Sequence, residues 1–153
     1  MQDISHAELP PTAQDVLAHV GHRLKRAHTA LRGAMDQVLR EHDLTVAQYA
    51  CLEVLAACPG MSSAELARAT FVTRQSMGVV LRGLQNEGLL TRPATAEKGR
   101  ARPATLTDEG RHRLDAAQKA VYAVEARMIY AIPEERLTAL LENFDQIVQA
   151  LTD

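Results

Sequence analysis

The chain has 153 residues, 46% of them apolar but only 3% aromatic, with no Trp and a formal net charge of −2. That length corresponds to about one domain, and an aliphatic, Ala-rich core favours helices. No apolar run approaches the roughly 20 residues of a bilayer span, the N-terminus has no basic start followed by an apolar stretch, and no Ser-His-Asp order, Gly-rich phosphate loop or paired carboxylates mark an enzyme. The expectation is a cytoplasmic, non-enzymatic protein with no cofactor and no metal.

In chain order, Pro10 and Pro11 suggest a disordered lead over residues 1–12. A long helix is expected next, because Leu17, Val20, Leu24, Ala27, Leu31, Ala34 and Val38 step by three and four, an a/d seam of about three heptads. Thr45-x-x-Gln48 is a capping box opening a buried helix that Pro59-Gly60 ends. Ser62-x-x-Glu65 is a second capping box, and Leu66 and Ala67 give the short helix behind it an apolar inner face.

Thr70, Phe71 and Val72 form a turn, and Thr73 can cap the following helix. Val80, Leu81 and Leu84 supply that helix with a buried stripe, and Gly88 stops it from a left-handed conformation. Left outward at its N-terminal end are Thr73, Arg74, Gln75 and Ser76, hydrogen-bonding residues suited to base edges: Arg pairs with guanine and Gln with adenine. A hairpin follows, from Leu89–Arg92 to Arg102–Leu106, with Pro103 confining the second strand to an edge and Lys98, Gly99 and Arg100 at a cationic tip suited to phosphates or a minor groove.

Thr107, with Asp108 and Glu109 behind it, caps a helix that runs to about Tyr130 through Leu114, Val121 and Val124. Ile132-Pro133-Glu134-Glu135 starts the last helix, where Leu137, Leu141, Phe144, Val148 and Leu151 repeat the seam spacing. The fold class is therefore mainly α with a small β-hairpin wing, a winged helix-turn-helix with terminal dimerisation helices. Residues 13–153 make a single domain, with 44–106 as the DNA-binding lobe and 13–43 and 107–153 as the dimerisation helices.

Charge is distributed unevenly. From Arg68 to Arg113 there are nine Lys or Arg against four Asp or Glu, and the remainder carries eight basic and fifteen acidic residues. A basic segment on an acidic body is the footprint of a DNA binder. A module of roughly 60–90 residues has little surface with which to cover two amphipathic stripes. Leu17, Val20, Leu24, Leu137, Leu141, Phe144, Val148 and Leu151 are accordingly expected to pair across a two-fold axis, as half-site readers commonly do. Cys51 and Cys58 lie seven residues apart, about 10.5 Å along a helix and beyond disulfide reach, and both are expected to be buried and reduced.

Leu44-Thr45-x-x-Gln48-Tyr49, Ser63-x-Glu65-Leu66-Ala67, Val72-Thr73-Arg74-Gln75-Ser76-Met77, Leu84-x-x-x-Gly88-Leu89-Leu90, Gly99-Arg100 and Leu106-Thr107-x-x-Gly110 occur in an order that resembles the MarR family of bacterial and archaeal regulators. The resemblance covers about residues 44 to 110. It implies a homodimeric regulator, most often a repressor, bound to double-stranded DNA at a pseudo-palindromic operator and released by a small phenolic or lipophilic effector. By position it sends Thr73 to Ser76 into the major groove and Arg100, flanked by Lys98 and Arg102, into the minor groove. It gives phosphates to Ser62, Ser63 and Arg82.

For a ligand cleft the resemblance points to His22, Arg26, Tyr49, Cys51 and Tyr122, facing one cavity. The sequence departs from the family pattern at Lys98, where many members carry Asp, at Phe71, where a turn glycine is common, and at Val79, where many carry Arg. The first helix holds no Cys of the kind the peroxide-sensing branch uses, and the histidines do not cluster with carboxylates as in the zinc-sensing branch. The competing class is a winged helix that binds protein and not DNA, in which Arg74→Ala and Arg100→Ala leave function intact.

Overall fold

A computed structural model describes residues 11–93 and 103–152, with side chains from residue 19 onward. Six helices and one hairpin follow each other as α1 (Pro11–Arg40), α2 (Val46–Ala57), α3 (Ser63–Ala69), α4 (Arg74–Asn86), β1 (Leu90–Thr91), β2 (Thr105–Leu106), α5 (Asp108–Tyr130) and α6 (Glu134–Thr152). The chain divides into two units, residues 1–34 and residues 35–153.

The caps behave as their chemistry requires. Thr45 and Ser62 each accept a hydrogen bond from the backbone N–H three residues on, and Gln48 and Glu65 reach back to the cap nitrogens, so both capping boxes are complete. Thr73 accepts from Ser76 N and Thr107 from Gly110 N, fixing the starts of α4 and α5. Gly88 takes φ +72 just past α4. Two boundaries differ from the sequence expectation. The first helix starts at Pro11, so positions 11 and 12 belong to α1 and not to a lead, because Pro at a first helical position gives up no needed N–H. Pro133 stands just before α6, with its carbonyl accepting from Arg136 N.

The core lies in the second unit. Leu39, Cys51, Leu52, Leu55, Leu66, Met77, Leu81, Leu84, Leu89 and Leu90 are all under 2% exposed, and Leu114 and Ala117 of α5 join them. In α4 the buried stripe is Met77, Leu81 and Leu84, with Val80 only partly buried, so the stripe begins one turn nearer the N-terminus than Val80 suggests. Cys51 is enclosed and burial pushes its thiol up to about 12, but Cys58 is exposed because it caps the end of α2, which corrects the expectation for that residue.

The hairpin is shorter than expected, pairing Leu90 with Leu106 and Thr91 with Thr105 in antiparallel register. Beyond it, Ala104 donates to Met61 O at 3.3 Å and accepts from Gly60 N at 3.1 Å, so the returning strand lies against the α2–α3 connection. On α6 no residue is buried, and Leu141, Phe144, Val148 and Leu151 are 41–80% exposed. Among the described residues no helix is long and apolar enough to cross a membrane.

Candidate nucleic-acid interface

The helix-turn-helix is α3, the turn at residues 70–73, and α4, and these two helices pack closely on each other. Burial of Met77, Leu81 and Leu84 fixes the rotation of α4. That rotation leaves Thr73, Arg74, Gln75 and Ser76 exposed at its N-terminal end. The Thr73 hydroxyl also bonds to Ser76 Oγ at 2.9 Å, so two of these four side chains are preoriented by the cap.

Arg82, exposed about two turns further along, lays its guanidinium back over Gly78, 3.4 Å from the point where a Cβ would stand. Ser62 and Ser63 are half-buried at the start of α3, where the first backbone N–H groups of a helix favour anions. In Glu65, hydrogen bonds from Ser62 hold the carboxyl below its ordinary range. Lys98, Arg100 and Arg102 lie outside the described residues.

The C-terminal end of α4 is held from three sides. Glu87 accepts from Arg113 of α5 at 3.2 Å and from Gln48 of α2 at 3.4 Å. Thr107 donates its N–H to Leu89 O at 3.1 Å and its hydroxyl to Gly88 O at 2.6 Å. Gly110 then passes so close to the Leu89 carbonyl that no side chain fits there. These contacts fix the reading helix to α5 and to the root of the wing. Sequence reasoning missed them because each joins residues 18 to 39 positions apart. It also assigned no role to Arg68, which is exposed near the end of α3.

The residues assigned to a ligand cleft divide between the two units. His22 and Arg26, with Arg23 and Lys25, line a shallow surface belonging to α1 alone. In the second unit Tyr49 is buried and donates its hydroxyl to Glu53 at 3.1 Å, and burial and the Glu53 charge raise its pKa. Cys51 is enclosed in the core, and Tyr122 is 56% exposed. Of the seam residues, Val20 and Leu24 are exposed on α1, Leu137 is half-buried, and the side chain of Leu17 lies outside the described residues.

A helix anchored at its C-terminal end to a hairpin, with polar and cationic residues free at its N-terminal end, is the device by which winged helix-turn-helix proteins read duplex DNA, and that is the class this fold defines. A sequence profile of the MarR family matches residues 42–101. The Mycobacterium tuberculosis HTH-type transcriptional repressor Rv2887 is 40% identical over 121 residues, 78% of this chain and 87% of the relative.

The structure of Rv2887 in complex with DNA superposes with a TM-score of 0.65 at 34% identity, covering 87% of this chain and 97% of the other. Its complex with salicylic acid gives 0.63 at 33%, covering 96% and 99%. The transcriptional repressor CouR, bound to a 23-mer DNA duplex, gives 0.77 at 27%, covering 96% and 99%. The chain belongs to the MarR family and is a DNA-binding transcriptional regulator.

Proposed function

We propose that this regulator is a repressor that binds a pseudo-palindromic operator as a homodimer, with one α4 entering the major groove in each half-site. The observation that carries the reading is the outward set Thr73, Arg74, Gln75 and Ser76 on a helix whose other face is locked into the core. Arg74 and Gln75 read base edges. Ser62, Ser63 and Arg82 take phosphates, and Lys98, Arg100 and Arg102 at the wing take the adjacent minor groove.

The dimer interface is assigned to the uncovered apolar residues of α6 (Leu141, Phe144, Val148 and Leu151) with the half-buried Leu137, and to the α1 seam of Leu17, Val20 and Leu24. A stripe of this kind left open on a monomer is an association surface. Half-site readers need such pairing, and the spacing of the two α4 helices then sets the spacing of the operator halves.

For the effector, the reading is a small aromatic carboxylic acid. Rv2887 has been crystallised with salicylic acid, and an Escherichia coli homoprotocatechuate degradative operon repressor is 29% identical over 125 residues, 79% of this chain and 84% of that one. Arg26, with Arg23 and Lys25 on the same surface of α1, carries the positive charge a carboxylate needs. Gel shifts with the DNA upstream of its own gene, titrated with salicylate, test both halves of the reading. Binding that salicylate reverses supports it. Failure of any duplex to shift at low salt removes the operator reading, and a shift indifferent to aromatic acids removes the effector alone.

A further inference from the structure

Phe71 stands out on three independent counts. It is 95% exposed, the most exposed large apolar side chain described. Its backbone lies at φ +57, a left-handed conformation that L residues with bulky side chains rarely adopt. And it sits two residues before the Thr73 cap of the DNA-reading helix.

The backbone requires that conformation. Val72 N donates to Ala67 O at 3.1 Å and Phe71 N to Arg68 O at 3.4 Å, the paired 6→1 and 5→2 bonds of a Schellman motif with Phe71 as the left-handed residue. The other left-handed positions described are Gly60, Gly88 and Asp43, residue types that tolerate them. Among the described residues, only here does a ring stand where glycine fits at no steric cost, and the ring gains no burial in return.

We propose that Phe71 is a specificity-determining residue that packs its ring on the C5-methyl of a thymine at the edge of the groove entered by α4. The inference rests on the DNA-binding reading and names one further contact within it. The occupant follows from the surroundings. Arg68 and Arg74, both exposed, stand three residues to either side of Phe71 and suit a polyanion. The thymine methyl is the apolar group that base edges present in the major groove, and Phe is among the residues that contact it. The turn is continuous with the polar tip of α4, so a duplex seated on Thr73 to Ser76 passes beside it.

The test is a cycle of two proteins and two duplexes. The operator is first footprinted with the wild-type protein. Anisotropy then gives Kd for wild type and Phe71→Asn on that operator and on the same operator with deoxyuridine in place of thymine, which removes only methyl groups. Asn tolerates the left-handed backbone, and Phe71→Gly serves as a second variant. Thermal melting of both variants at or above the wild-type midpoint separates lost contact from lost folding.

The expected result is that Phe71→Asn binds the thymine operator more weakly, and that its preference for thymine over deoxyuridine is about four-fold smaller per half-site, the equivalent of one methyl taken out of water. An unchanged thymine preference in both variants overturns the proposal, whether or not overall affinity falls. Since the wild-type footprint comes first, that outcome leaves DNA binding itself standing.

Discussion

Gly110→Ala offers a prediction whose sign separates tertiary packing from local propensity. Gly110 is the third residue of α5, and a helical glycine replaced by alanine ordinarily gains about 1 kcal/mol. Here the added Cβ would fall inside the contact radius of the Leu89 carbonyl oxygen and 3.0 Å from both Leu106 Cδ2 and the Leu89 carbonyl carbon. Two of those neighbours are backbone, so relief requires α5 and the α4–β1 junction to separate by about 1 Å.

Overpacking of this kind costs about 1–3 kcal/mol. The separation also stretches the bonds from Thr107 to Leu89 O and Gly88 O, each contributing about 0.5–1.5 kcal/mol. With the helix gain offset, the net loss is about 3 kcal/mol, or a midpoint lower by about 6–12 °C for a chain of this size. The assay is thermal unfolding at fixed protein concentration, since an associating protein's midpoint depends on it. Gly83→Ala is the control, because its Cβ meets only Gln48 Nε2 at an ordinary 3.5 Å and the substitution is expected to stabilise. A Gly110→Ala protein that melts at or above the wild-type midpoint would refute the packing argument.

Other outcomes follow from the same geometry. Arg74→Ala is expected to weaken operator binding by about 1–3 kcal/mol with relaxed base preference, read by gel shift against single-base variants. The double substitution Leu141→Asp, Phe144→Asp places two charges in the uncovered stripe of α6 and is expected to give a monomer in sedimentation equilibrium, with loss of operator binding. Alkylation at pH 8 is expected to label Cys58 quickly and Cys51 only on unfolding, since the enclosed thiol, pushed up to about 12, stays protonated. Glu65 is held ionised below its ordinary range, so its contribution to the α3 cap is present above about pH 4 and fades as pH falls. Glu65→Gln, which keeps the capping box, is expected to flatten that acid limb in thermal melts.

The parts of this structure legible in sequence are those set by neighbours a few residues apart. Thr45 with Gln48, Ser62 with Glu65, Thr73 with Ser76 and Thr107 with Gly110 each declare a helix start through one local hydrogen bond, and Gly88 declares an end. Joined to the apolar seams of α1 and α6 and to the hairpin read between Gly88 and Thr107, their order yields four helices, a hairpin and two more helices.

What stays hidden is what tertiary contact decides. Nothing near Glu87 reveals that Arg113 and Gln48 will converge on it, and Gly110 reads as a weak spot in a helix until Leu89 lies against it. Cys58 looks apolar enough for the core, but as the end of α2 it faces out. Phe71 shows in sequence only as a departure from a common turn glycine, whereas the Schellman bonds behind it force a left-handed backbone and a bare ring.

Hydroxyl-radical footprinting on the DNA upstream of the gene tests the regulator reading most directly. Two α4 helices on a two-fold axis predict two protected patches on one face of the duplex, centred about one helical turn or a whole multiple of it apart and symmetric in sequence. Protection of a single half-site, or none at low ionic strength, would contradict the account.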